Sequence, residues 1–263
     1  MAMFDAERII HDTMVASVEQ HAQLGSTSDR AWQLCQTDLP ALPGLILANR
    51  QTAGRGRGAA KWWASEGALT FTLVLDQRAI DVPASRLSAV PLAIAEAIAE
   101  VVCKFIGASQ DVVWVKWPND VLVGERKLAG VLTESTTATD GRPCLLVGVG
   151  LNLNNSSSSA PAEIVDRITS VCDCWQQVIS PVEQQQLLID LLRGFATRLK
   201  RLGEGFELQS PCPLAGQQVQ LTTAGGVVVG EYVGIDDSGA LLLRSAGKLQ
   251  RIVSGASLRR IFD

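Results

Sequence analysis

Residues 51–63 read Gln51-Thr52-Ala53-Gly54-Arg55-Gly56-Arg57-Gly58-Ala59-Ala60-Lys61-Trp62-Trp63. Glycines at 54, 56 and 58 free the backbone to turn its N–H groups toward a ligand. Arg55 and Arg57 add fixed charges able to pair with carboxylate or phosphate. The run is not a Walker A loop, since no Lys-Ser/Thr follows at the required spacing. Ala59 also stands where a dinucleotide fingerprint needs its third glycine. Locally, a small-anion cradle competes with a flexible Arg/Gly loop or an Arg-Gly-Gly-like nucleic-acid segment, and the pattern alone leaves these open.

Four further segments carry chemistry. Val113-Trp114-Val115-Lys116-Trp117-Pro118-Asn119-Asp120 sends a strand into a Pro-Asn-Asp turn, which either sets polar groups at a strand end or is an ordinary hairpin turn with Lys116 in solvent. Arg126-Lys127-Leu128-Ala129-Gly130 places Lys127 at the mouth of the next strand and Gly130 where a ligand could approach the backbone, although an isolated lysine is usually solvated. Gly148-Val149-Gly150-Leu151-Asn152-Leu153-Asn154 is an apolar strand whose glycines suit a close strand crossing. Ser26-Thr27-Ser28 suits the cap of a helix over Asp29 to Leu34.

Composition narrows the classes. The 263 residues carry 23 Lys+Arg and 27 Asp+Glu, are 47% hydrophobic, and have a formal net charge of -4. A disordered, collagen-like or disulfide-scaffold chain is excluded, as is a globally basic nucleic-acid coat. Asp5, Glu7, Arg8 and Asp12 interrupt the first residues where a signal peptide would be apolar. Glu96, Glu100 and Lys104 break the most apolar region, Leu87 to Phe105, so it reads as a helix on a core and no membrane anchor is expected. Six thinly spread cysteines with only two histidines read as reduced thiols of a cytoplasmic protein, and no structural metal site is expected.

Helical spacing and Gly107 predict a helix over Ser85 to Ile106, and Ser180-Pro181-Val182-Glu183 opens another as a capping box with proline at its first position. Apolar runs predict strands at 45–48, 68–75, 112–117, 121–123, 128–134 and 144–153. From Val219 the chain holds only short strands punctuated by Gly-containing turns, which predicts a small β-barrel. The class is α+β, with a mixed-sheet domain over 1–205, a linker at 206–213 and a β-rich domain over 214–263.

In this order and spacing, the glycine loop, Lys61-Trp62, Lys116-Trp117-Pro118-Asn119-Asp120, Lys127-Leu128-Ala129-Gly130 and Gly148 to Asn152 closely resemble the biotin protein ligases. The resemblance spans Ser26 to about Asn154, and the tail from about Pro213 looks like that family's SH3-like C-terminal domain. It implies a biotin/lipoate-ligase-like catalytic fold. It also implies biotin and ATP as substrates with Mg2+, a biotinyl-5'-AMP intermediate, and a lysine on the biotin carboxyl carrier protein of a biotin-dependent carboxylase as acceptor. Lys127 resembles the lysine set between biotin carboxylate and α-phosphate, Asp120 is the candidate to orient or deprotonate the acceptor lysine, and Arg55 and Arg57 would hold the acyl phosphate. Ser26, Thr27 and Gln51 would meet the biotin head group. Ser28, Gly54, Gly56, Lys116, Asn119, Gly130, Gly148 and Asn152 complete the expected substrate contacts. Two positions depart from the family pattern: Ser28 stands where Asn is common, and Ala59-Ala60 replaces a more basic continuation.

The alternatives are a lipoate or octanoate ligase of the same fold and a non-catalytic biotin or nucleotide binder. A DNA-reading repressor is not expected, because only 25 residues precede Ser26. Family members often pair through the catalytic sheet, which makes a homodimer one expected assembly.

Overall fold

The computed structural model describes residues 4–108, 112–205 and 212–261. Its elements in chain order are α1 (Ala6–Asp12), β1 (Ser17–His21), α2 (Thr27–Gln36), β2 (Gly44–Ala48), β3 (Leu69–Asp76), α3 (Val90–Ile106), β4 (Val113–Lys116), β5 (Asp120–Val123), β6 (Arg126–Thr137) and β7 (Pro143–Leu151). There follow α4 (Val171–Trp175), α5 (Pro181–Glu204), β8 (Gln218–Thr223), β9 (Gly226–Ile235), β10 (Leu241–Ser245), β11 (Lys248–Ile252) and β12 (Ser257–Arg260).

Seven strands form one sheet in the order β1-β2-β3-β7-β6-β5-β4. Only β1 and β2 run parallel and the other neighbours are antiparallel, so the sheet is mixed. Alternation along β3 divides its side chains between two layers. Phe71, Leu73 and Leu75 join the large core with α3 and α5, while Val74 joins a smaller core with Ala31, Leu34 and Cys35 of α2. A strand buried on both faces reads in the sequence as a nearly continuous apolar run.

Caps define the helices. Ser26 caps α2 by accepting from the Asp29 N–H, and Ser180 and Glu183 form the predicted capping box of α5. The predicted helix from Ser85 is a 3-10 turn over Ala84–Ala89, and α3 proper begins at Val90 with Pro91 in its first turn. It ends at Gly107, whose φ of 65° is the left-handed geometry that glycine adopts without strain. Strand β1 escapes sequence reading because Ser17-Val18-Glu19-Gln20-His21 has a single apolar side chain and is half-buried throughout. Among the described residues no helix is long and apolar enough to cross a membrane.

The tail departs from the expected barrel. Its five strands make an antiparallel sheet in the order β11-β10-β9-β8-β12, and among the described residues no ladder joins β11 to β12. Gly255, between those edges, is instead buried where the two sheets meet: a Cβ there would lie 2.6 Å from Cδ1 of Leu221 in β8 and 3.1 Å from Cζ3 of Trp117, which follows β4. Val219, Leu221, Tyr232, Leu241, Leu243 and Leu258 are continuous with the large core under the seven-stranded sheet. The expected linker falls mainly on 206–211, outside the described residues.

The second docking point is the turn between β9 and β10. The Trp117 indole N–H donates to the Gly239 carbonyl at 3.0 Å, and Ser88 Oγ donates to the Ser238 carbonyl at 2.7 Å. Asp236 shapes this turn, accepting from the Ser238 and Ala240 N–H groups at 3.0 and 2.9 Å and from Arg251 Nε at 2.6 Å. Burial opposes the Asp236 charge, but these hydrogen bonds outweigh it and bring the carboxyl from 3.8 to about 2. Because folding depresses this value, the stabilisation is complete above the unfolded pKa and disappears as pH falls from about 4 through about 2. Asp236→Ala should therefore cost on the order of 2 kcal/mol at neutral pH and little near pH 2. Denaturant midpoints of parent and variant at both pH values check this, and an equal gap at both refutes the assignment.

Candidate active site

A cavity of about 680 Å3 opens at the end of the seven-stranded sheet, between the glycine loop, the strand ends and the C-terminal domain. At one end, Ser26, Thr27 and Ser28 are buried at the start of α2. The Thr27 N–H donates to Gln51 Oε1 at 2.7 Å, Thr72 Oγ1 donates to Thr27 Oγ1 at 2.9 Å, and Ser28 Oγ lies 3.2 Å from Thr72 Oγ1. A buried polar cluster of this kind binds a polar head group in defined orientation, because an unmatched ligand leaves its members unpaired. Ser26 thus serves as helix cap and as cavity lining at once.

The floor is built from glycines on β6 and β7. A Cβ on Gly148 would lie 2.7 Å from Ser28 Oγ, and one on Gly150 would overlap Cε2 of the Trp62 indole. The Trp62 indole lies over this strip. Its Nε1 is buried without a hydrogen-bond partner among the described residues. At Gly130 a Cβ would come within 3.1 Å of Lys127 Nζ and 3.5 Å of Trp62 Cζ3. Lys127 Nζ lies 2.6 Å from Asp120 Oδ1 and 5.4 Å from the Trp62 ring centroid, so its ammonium is held between a carboxylate and a π face.

The two loop arginines have different partners. Arg55 makes a bidentate pair with Glu134, at 2.9 and 2.6 Å, and its Nε is 2.8 Å from Asp29 Oδ1. The Glu134 hydrogen bonds raise its pKa further. Arg57 has no carboxylate within ion-pair distance among the described residues; Nη1 donates to the Gly255 carbonyl at 3.0 Å. Burial lowers its pKa, and the Asp120 charge acts in the opposite sense. Of the two loop arginines, Arg57 is therefore the one whose charge no described carboxylate pairs with.

Residues 21–154 match the model of the biotin/lipoate A/B protein ligase family, and residues 215–257 match that of the biotin protein ligase C terminal domain. The chain belongs to the biotin/lipoate A/B protein ligase family. It is 30% identical to the bifunctional ligase/repressor BirA of Bacillus subtilis over 89% of this chain and 71% of that protein. It is 32% identical to the biotin acetyl-CoA-carboxylase ligase of Paracoccus denitrificans over 88% and 95% of the two chains. The solved biotin protein ligase of Aquifex aeolicus in complex with biotin and ATP superposes with a TM-score of 0.77 at 28% identity, covering 94% of this chain and 100% of that one.

Within this family member, most of the sequence-predicted residues converge on the cavity: Ser26, Thr27, Ser28, Gln51, Arg55, Gly56, Arg57, Asn119, Asp120, Lys127, Gly130 and Gly148 all line it. Three do not. Gly54 forms the loop neck, where a Cβ would meet the Trp62 carbonyl at 2.6 Å. Lys116 lies at the end of β4, where burial lowers its pKa against the opposing charges of Asp120 and Glu125. Asn152 is buried behind the floor, donating to the Thr169 carbonyl at 3.0 Å and accepting from Asn155 Nδ2 at 3.0 Å. It braces the strand beside Lys127. Sequence reading missed Glu134 and Asp29, the partners of Arg55. It also missed Thr223, Ala224, Ser254, Gly255 and Ala256, which line the cavity from the C-terminal domain. No local motif marks these five.

Proposed function

We propose that this protein activates biotin with ATP and passes the biotinyl group to a lysine of the biotin carboxyl carrier protein of a biotin-dependent carboxylase. The observation that carries the reading is the convergence of the polar cluster, the Lys127–Asp120 pair and Arg57 on one cavity, in a chain matching both the ligase model and the biotin protein ligase C-terminal model.

In the first step a biotin carboxylate oxygen attacks the α-phosphorus of ATP and pyrophosphate leaves. Two unit charges about 4 Å apart at an effective dielectric near 20 repel by on the order of 4 kcal/mol, so cationic groups must meet the approach. Lys127 supports this step as the cation at the junction of the glycine floor and the loop, and Arg57 as the cation on the acyl phosphate side. Closing the glycine loop over a mixed anhydride shields it from water. In the second step the neutral ε-amine of the acceptor lysine attacks the acyl carbon and AMP leaves, with Asp120 orienting the amine or receiving its proton.

Magnesium offsets pyrophosphate charge when bound with ATP. Among the described residues lining the cavity Asp120 is the only carboxylate, which suits an ion carried chiefly by phosphate oxygens and water.

The test supplies the purified chain with Mg2+, ATP and either biotin or lipoate, and follows pyrophosphate release and label on a biotin carrier domain. Release and labelling with biotin are expected. Equal release with lipoate, or binding without turnover, refutes the reading in favour of a lipoate ligase or a non-catalytic binder respectively.

A further inference from the structure

We infer that the C-terminal domain positions Arg57 through the main-chain carbonyl of Gly255, making the segment 254–256 part of the device that retains the adenylate. The inference rests on the adenylate-forming reading above and assigns a role to residues that no motif marks.

The loop ties down the Arg57 main chain, with the Gly56 N–H donating to the Ala60 carbonyl at 2.8 Å and the Ala60 N–H to the Arg57 carbonyl at 3.1 Å, but these bonds leave the direction of the long side chain unset. Gly56 and Gly58 flank Arg57, and Gly58 has a φ of 60°. A long side chain between two glycines has no neighbouring side chain to pack against, and it loses considerable entropy when held in one direction. Among the described residues, the hydrogen bond holding the guanidinium comes from 198 residues away, at the Gly255 carbonyl. That carbonyl is itself rigid. The Gly255 backbone lies against Leu221 and Trp117, both buried in the shared core, with no room for a side chain. The next residue is tied to β8 by the Ala256 N–H donating to the Thr222 carbonyl at 2.8 Å.

The chemistry of the contact suits positioning. A carbonyl accepts from Nη1 without neutralising the guanidinium, so the charge and the remaining donors stay available to an anion. Arg55 makes the contrast, because two carboxylates already compensate its charge. Both Arg57 and Gly255 line the cavity, so the contact lies at the wall and not behind it. Trp117 links the two ends of the arrangement, touching the Gly255 position with its ring edge and donating to Gly239 with its indole N–H.

A double-mutant cycle in the full chain tests this. Adenylate is formed from labelled biotin and ATP, free ligands are removed, and release of the adenylate is followed for parent, Gly255→Val, Arg57→Ala and the double variant. Gly255→Val should release it about tenfold faster, the size expected from one lost hydrogen bond to a charged group. The double variant should release it no faster than Arg57→Ala, because both act through the same guanidinium. Effects that multiply, or a Gly255→Val variant that retains adenylate like the parent, overturn the inference. If Gly255→Val does not fold, Trp117→Phe replaces it in the same cycle under the same criterion. A parent chain that forms no adenylate refutes the functional reading and this inference together, whereas a productive parent with an independent cycle refutes the inference alone.

Discussion

Lys127→Ala should reduce biotin-dependent pyrophosphate release by about 100- to 1,000-fold, the range for removing one group that stabilises developing charge. Lys127 is the cation nearest the glycine floor, and its Nζ is held by Asp120 at 2.6 Å and by the Trp62 face. Its replacement removes little apolar contact, so the fold should be retained: the side chain is 32% exposed and its carboxylate partner 26% exposed. Pair energies at such exposure are modest, which predicts a small change in thermal midpoint beside a large change in rate. Pyrophosphate release and a melting curve on the same preparation check both. Normal release would remove Lys127 from the mechanism, and a collapsed melting transition would assign the loss to folding.

Asp120→Ala should slow transfer from preformed adenylate by about 10- to 100-fold, the scale of a positioned base. Only about one acceptor lysine in 2,500 is neutral at pH 7 if its pKa is the ordinary 10.4, so the step needs a group that favours the free amine. The ion pair with Lys127 adds a consequence not visible in the sequence: the same variant should also slow adenylate formation, by a smaller factor, because Lys127 loses the partner that fixes its direction. Raising the pH supplies neutral amine from solution and should restore transfer more than it restores adenylation. Single-turnover transfer at saturating acceptor, measured from about pH 7 to 9, separates these effects. Transfer that is unaffected, or that is not rescued at high pH, contradicts the assigned role.

Particular residues show how far the sequence could be read. Ser26 looked like a helix cap by its residue type and like a ligand contact by its place in the pattern, and the structure gives it both positions. The capping box at Ser180 and the turns at Ala224-Gly225-Gly226 and Ala246-Gly247 were legible because they depend on residues only a few positions apart. Asn152, a substrate contact by family resemblance, is tied to backbone carbonyls of residues 127 and 169 behind the cavity wall, because a buried backbone nearby takes the hydrogen bonds of an amide at a strand end. The β-rich tail was legible but its closure was not, because evenly spaced hairpins specify neighbouring strands, whereas a ladder between β11 and β12 would be a pairing of the two edges, and none joins them among the described residues.

The sequence by itself determined the local devices: a glycine loop carrying two arginines, lysine and aspartate at successive strand ends, glycines along a strand, and capped helices. Each follows from the steric and hydrogen-bonding character of residues within a few positions of one another. The tertiary structure alone decided which arginine keeps its charge available, since Arg55 meets Asp29 from α2 and Glu134 from 79 residues away, and Arg57 meets Gly255 from 198 residues away. It alone paired Lys127 with Asp120 across the β5–β6 hairpin, laid Trp62 over Gly150, and brought the C-terminal turns to the cavity wall. These are contacts between groups on different elements, and what fixes them is the packing of two sheets around one continuous core, a property that no window of the chain contains.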